Sequence, residues 1–174
     1  MNVSTVKNPL VSIYWVSAYR SDYLLNSVNS FFENTNYKNI EIIVVDCSVG
    51  KRGYEHRTAI KKSNIFDKIL FRDSIFCLNN NANYAFESCK GDFIIQFEDD
   101  IRFKVNTDKD WLYKCVSEIQ SVEFDCIDLF SDSDIHSGAG SITSRKARRE
   151  LHPYACYPSD FETVTESMKS AHGK

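Results

Sequence analysis

Short apolar blocks alternate along the chain with polar stretches whose apolar residues recur at helical spacing. Val11-Ser12-Ile13-Tyr14-Trp15-Val16 is rich in β-branched and aromatic residues and predicts a buried strand. Ser21 or Asp22 is placed to cap the helix that follows, in which Tyr23, Leu24, Val28, Phe31 and Phe32 form one stripe that ends at Asn34-Thr35-Asn36. Ile40-Glu41-Ile42-Ile43-Val44-Val45 predicts a second strand, ending in Asp46. Val49 to Arg57 reads as a loop, Thr58 to Ser63 as a helix, and Asp67 to Phe71 as a short third strand. Asn79-Asn80-Asn81 opens a helix to Cys89, with Gly91 placed as its C-cap. Phe93 to Phe97 is the next strand, then a helix from Asp110 to Ser121 and a strand from Cys126 to Phe130.

Strands alternating with helices predict an α/β fold with a mostly parallel sheet and helices on both faces. Ligands in such sheets bind outside the carboxyl ends of the strands. Asp46 lies at one such end, and Glu98-Asp99-Asp100 at another. Consecutive carboxylates repel one another and lose solvation, and both effects raise their pKa values. A hard divalent cation relieves this, and Mg²⁺ commonly shares its oxygen ligands with a nucleotide's phosphates. A metal–diphosphate site is therefore expected there. The structural alternatives are a solvated acidic turn and, for Asp46, a turn or capping aspartate.

Composition narrows the field. Hydrophobic residues make up 43% and charged residues 26%, ordinary for a globular domain, and 174 residues suffice for one full core. A net charge of −3 argues against nucleic acid as the main partner. The local basic run Arg145-Lys146-Ala147-Arg148-Arg149 reads first as a solvated helix face. None of the six cysteines forms a C-x-x-C pair, which argues against a zinc site. The polar segment Met1 to Pro9 lacks the apolar core of a signal peptide, and no apolar run is long enough to span a bilayer. A cytoplasmic protein with reduced thiols is expected.

The residues together resemble the nucleotide-sugar-dependent glycosyltransferases of the GT-A fold, nearest to glycosyltransferase family 2. Pro9 to Ile101 keeps the register well, and the likeness weakens beyond. Val11-Ser12-Ile13 through Tyr23-Leu24 is similar to the family's first strand, loop and helix start. Glu41 to Asp46 matches its second strand and aspartate. Asn83 through Gly91-Asp92-Phe93 keeps its asparagine-to-glycine spacing, and Glu98-Asp99-Asp100 stands in the place of its DXD metal motif. The departures are Val16-Ser17-Ala18-Tyr19 for the usual Pro-Thr-Tyr-Asn, Ala82 for the usual arginine, and Glu98 for the first aspartate.

The resemblance implies a Rossmann-like GT-A domain over 1–174, with a nucleotide-sugar-binding half (1–104) and a short acceptor-side half (105–174). It implies an inverting transferase that moves a sugar from a nucleotide-diphosphate sugar, a UDP-sugar by default, to a hydroxyl of a glycan or other acceptor. Ser17, Tyr19, Asp46 and Asn83 would contact the donor. Glu98 and Asp100 would hold the ribose and a Mn²⁺ or Mg²⁺ on the diphosphate, with Asp100 the more direct ligand. Asp99, in the same motif, would point elsewhere. His172 stands where many relatives supply a metal-binding histidine.

The second half is less regular. His136-Ser137-Gly138-Ala139-Gly140-Ser141-Ile142-Thr143-Ser144-Arg145 looks like the fold's glycine-rich acceptor loop, or a tight turn before a helix. The resemblance places a catalytic base near Tyr157-Pro158-Ser159-Asp160-Phe161-Glu162. Asp160 is the first choice, Glu162 the second, and Asp132 or Asp134 the third; Asp160 also suits a helix N-cap. Two other classes remain open. A sugar-1-phosphate nucleotidyltransferase would carry a glycine-rich loop after the first strand, where Ser17-Ala18-Tyr19-Arg20-Ser21 has no glycine. A non-catalytic nucleotide-sugar-binding module is the other. The chain is either a minimal transferase or one domain of a longer polypeptide.

Overall fold

The computed structural model describes residues 8–72, 78–104, 106–121, 126–129 and 140–146. In order, the elements are β1 (Val11–Ser17), α1 (Ser21–Glu33), β2 (Ile40–Asp46), α2 (Gly50–Ser63), β3 (Lys68–Phe71), α3 (Leu78–Ser88), β4 (Phe93–Glu98), α4 (Trp111–Ser121), β5 (Cys126–Leu129) and β6 (Gly140–Ser144). One six-stranded sheet has the order β3-β2-β1-β4-β6-β5. Strands β3, β2, β1 and β4 pair in parallel, and β6 pairs antiparallel with both β4 and β5.

Alternate residues of each central strand face opposite sides. Ile13, Trp15, Ile42, Val44, Ile95 and Phe97 pack under α1, α2 and α4. Tyr14, Val16, Ile43, Val45 and Ile94 pack against α3 through Ala82, Ala85 and Phe86. The strands are therefore apolar on both faces, as a doubly covered sheet requires. Phe31 of α1 anchors the first layer, with its ring centroid 6.1 Å from Trp15, 6.2 Å from Phe97 and 6.1 Å from Phe103.

Four expectations are corrected. The α2 helix begins at Gly50, not Thr58. Its inward stripe is Gly53, His56 and Ile60, so the helical period is written in a glycine and a histidine rather than in apolar residues. The α1 helix is capped at Arg20 without a side-chain hydrogen bond, so neither Ser21 nor Asp22 is the cap. Gly91 is not a left-handed C-cap, since Gly50 is the glycine with positive φ among the described residues. A Cβ on Gly91 would lie 2.5 Å from Ser12 N and 2.7 Å from Leu10 O, so glycine is needed there for close approach of two backbones. Finally, Gly140–Ser144 is a strand of the sheet rather than a loop. Its alternation is masked by small and hydroxyl residues, of which only Ile142 is a large apolar one.

Candidate functional site

The parallel strands bring their carboxyl ends to one edge. Ser17 pairs with Asp46 across β1 and β2, and Val16 pairs with Glu98 across β1 and β4. The chain builds outward from β1 toward β3 on one side and toward β4 on the other, so the topological switch point lies between β1 and β4. The site assembles around that point.

Strand alternation then sorts the carboxylates by face. Ser17 and Asp46 lie in phase with the residues under α1 and α2, whereas Glu98 lies in phase with Ile94 on the α3 side. Asp99, one residue beyond the strand, points back under α1 and is buried, with 1% exposure. Ser17 Oγ donates to Asp99 Oδ2 at 2.9 Å. Asp100 stays half exposed at the rim.

Asp46 is fully buried, and both its carboxylate oxygens are engaged within the protein. Oδ1 accepts from the Ser48 backbone N–H at 3.0 Å and from the Ser48 hydroxyl. Oδ2 accepts from Arg57 Nε at 2.8 Å. The Arg57 guanidinium also donates to the carbonyls of Ser48 and Arg72. Asp46 therefore organises the β2–α2 loop. A cavity of about 220 Å³ opens beside it, lined by Ser48, Val49, Gly50, Gly53, Tyr54 and Arg57.

His56 sits beneath this loop, 2% exposed. Its Nε2 lies 3.4 Å from both Ser17 Oγ and Asp46 Oδ1. Ser17 gives its one proton to Asp99, so both neighbours of Nε2 are acceptors, which assigns the ring proton to Nε2. Nδ1 is buried without a hydrogen-bond partner among the described residues. Burial pushes the His56 pKa down, against the pull of Asp46 and Asp99. A neutral ring follows, because protonation would leave an unpaired N–H inside the protein.

Tyr19 joins β1 to α1 with φ +61, a left-handed conformation uncommon for a tyrosine. Two bonds hold it: its N–H donates to Ser48 Oγ at 2.9 Å, and its hydroxyl accepts from Val49 N–H at 3.0 Å. Arg20 follows and lays its guanidinium over the acidic turn. Nε reaches Asp99 Oδ2 at 3.2 Å, Nη2 pairs with Asp99 Oδ1, and Nη1 lies 3.3 Å from Asp100 Oδ2.

Among the described residues one guanidinium thus pairs with Asp99 and Asp100, and its charge also reaches Glu98. Burial pushes the Glu98 carboxyl up, and the charges of Asp100 and Asp99 push it further. Burial also raises Asp99, against the Ser17 hydrogen bond and the Arg20 charge. The corner therefore holds surplus negative charge on hard oxygen donors. Among the described residues no group of three or more His, Cys, Asp or Glu forms a metal cage. A pair of carboxylates suits a cation that takes its remaining ligands from substrate phosphates and water. The residues fit a Mg²⁺- or Mn²⁺-type ion on that basis.

Asn83 is half buried on α3, and the described hydrogen bonds do not join it to the carboxylates. Asp160, Glu162, Asp132, Asp134, His172 and residues 136–139 lie outside the described residues. Arg20, Ser48, His56 and Arg57 are the site residues that sequence reasoning missed. The Asp-x-Ser spacing of Asp46 and Ser48 is a turn signal that marks one of them. His56 and Arg57 were hidden in the stretch read as a loop.

A family model for glycosyl transferase family 2 matches residues 16–154. The chain belongs to that family. The match spans Asp46 and the Glu98–Asp100 cluster. Among solved structures, the mannosyltransferase PcManGT from Pyrobaculum calidifontis, in complex with GDP-Man and Mn²⁺, is similar with a TM-score of 0.67 at 12% identity, over 83% of this chain and 47% of that one. Residues 1–349 of S. aureus TarS are similar with a TM-score of 0.59 at 13% identity, over 81% of this chain and 48% of that one. The same TarS fragment with UDP-GlcNAc gives 0.58 at 16% identity, over 82% and 47%. These likenesses show the GT-A fold, Rossmann-like with helices on both faces of the sheet. This chain spans about half the length of those neighbours. No curated protein matches it. Among the described residues no helix is long and apolar enough to cross a membrane.

Proposed function

We propose that this family 2 chain binds a nucleotide-diphosphate sugar, a UDP-sugar by preference, and transfers its hexosyl unit with inversion to a hydroxyl of a glycan or other acceptor. The observation that supports this most is the carboxylate cluster Glu98, Asp99 and Asp100 beside the β1–β4 switch point, which among the described residues is faced by one arginine, Arg20. The neighbouring structures hold GDP-mannose with Mn²⁺ in one case and UDP-GlcNAc in another, which favours this donor class.

In this reading Glu98 and Asp100 would hold a Mn²⁺ or Mg²⁺, with His172 as a further ligand. When bound, the cation neutralises charge growing on the departing diphosphate, an effect typically worth several kcal/mol. Asp46 acts on the nucleotide through what it holds: Ser48, Arg57 and, through Ser48, the Tyr19 turn. Ser17 fixes Asp99 beneath the turn, and Asn83 borders the donor from α3. Asp160 accepts the acceptor's hydroxyl proton as that oxygen forms its bond to the anomeric carbon. The bond from that carbon to the diphosphate oxygen breaks on the opposite side, which inverts the centre. Cys47, Cys89 and Cys115 are free thiols, which suits a cytoplasmic protein.

Donor hydrolysis with Mn²⁺, measured across UDP- and GDP-sugars without acceptor, tests the proposal. Slow, cation-dependent release of the nucleoside diphosphate is expected. No release and no binding of any nucleotide sugar would overturn it.

A further inference from the structure

Arg20 is held at one end and loose at the other. Its Nε and Nη2 grip the two oxygens of Asp99 in a fork-to-fork pair, and Asp99 is itself buried and fixed by Ser17. Among the described residues its Nη1 reaches only Asp100 Oδ2, at 3.3 Å, and the Arg20 and Asp100 side chains are each 49% exposed. The backbone before it is held in a left-handed turn by Ser48 and Val49, so its direction is set from two sides. The guanidinium stands over the acidic turn that follows β4, beside the β1–β4 switch point.

We propose that Arg20 is a diphosphate-contact residue of the donor site, an inference that rests on the glycosyltransferase reading. Without ligand, Nη1 occupies Asp100. With Asp100 engaged by a divalent cation, Nη1 would be free to turn to the diphosphate while Asp99 keeps the rest of the guanidinium seated. Asp99 is thereby a positioning residue that acts through Arg20. The motif divides its work: Asp100 serves the cation and Asp99 serves the arginine.

The test is a binding series on the full chain: Mn²⁺ alone, UDP and GDP with Mn²⁺ by calorimetry, and uridine and guanosine by NMR titration. The variants are Arg20→Ala and the double variant Arg20→Ala/Asp99→Asn, which also removes the buried charge that the first leaves unpaired. Loss of a charge-assisted contact should lower diphosphate affinity about ten- to a hundredfold. Nucleoside affinity should be unchanged, and the affinity for Mn²⁺ alone equal or tighter. The double variant should be as weak for diphosphate as the single one. Recovery of diphosphate affinity in the double variant would overturn the inference, because Arg20 would then only neutralise Asp99. So would an equal loss for nucleosides, or no loss at all. If the wild-type chain binds neither UDP nor GDP with Mn²⁺, the glycosyltransferase reading itself falls and takes the inference with it.

Discussion

Arg57 Nε donates to Asp46 Oδ2 at 2.8 Å, joining the middle of α2 to the end of β2 through a carboxylate with no exposure to solvent. The pair is asymmetric. Arg57 is a quarter exposed and can turn to water, whereas Asp46 cannot. Arg57→Ala therefore leaves a buried charge with one ionic partner fewer, a loss of about 3 kcal/mol. Asp46→Asn removes that charge and keeps an acceptor for Ser48, and should cost less. Urea unfolding of the two variants checks the order.

Asp99 and Asp100 should likewise separate by stability. Asp99 is buried under Arg20 and Ser17, and Asp99→Ala should destabilise by about 2 kcal/mol or more as the hydroxyl and guanidinium lose their acceptor. Asp100 is half exposed, and Asp100→Ala should stay within about 0.5 kcal/mol of the wild type. Thermal melts in the absence of divalent cation read both.

Gly91→Ala places a Cβ 2.5 Å from Ser12 N, 2.7 Å from Leu10 O and 2.8 Å from Phe93 O, all backbone atoms that cannot rotate away. Overpacking of this kind typically costs about 1–3 kcal/mol, and the upper end is expected here. Gly50→Ala, with φ +69 but nothing within 4 Å, should cost only the left-handed strain, roughly 1–2 kcal/mol. Comparing the two melting temperatures separates close approach from backbone conformation.

Glu41 governs an acid limb of stability. Burial pushes its carboxyl up, but the Ser12 hydroxyl, the Lys90 N–H and Lys68 together outweigh burial and hold it below the ordinary glutamate value. The unfolded chain then binds this proton more tightly than the folded one. The stability from Glu41 is present above the ordinary glutamate pKa and is lost as pH falls through the lowered one. Urea midpoints taken from neutral pH down into that range should fall, and Glu41→Gln should flatten this part of the profile.

The central sheet was legible because β1, β2 and β4 are runs of β-branched and aromatic residues that end in polar groups. The helix α2 was not, since its buried face consists of Gly53, His56 and Ile60. The β6 strand escaped because Gly140 and Ser144 bracket its one large apolar residue. At the site, the acidic positions could be read from order and spacing. Their division of labour could not, because it depends on Arg20 and Arg57, which reach the carboxylates across 79 and 11 residues of sequence. Arginines are common on surfaces, and nothing local distinguishes these two from the rest. Asp160 and His172 rest on sequence reasoning alone.

The proposed transferase activity requires cation-dependent donor binding through Asp100. Thermal melts of the wild type and Asp100→Ala, each with UDP or GDP and with or without Mn²⁺, measure it. At a ligand concentration about a hundred times Kd, binding stabilises the native state by about 2.7 kcal/mol. The wild type should show that gain only when nucleotide and Mn²⁺ are both present, and Asp100→Ala should lose it while melting normally without ligand. A full Mn²⁺-dependent gain in Asp100→Ala would rule out Asp100 as the cation's ligand.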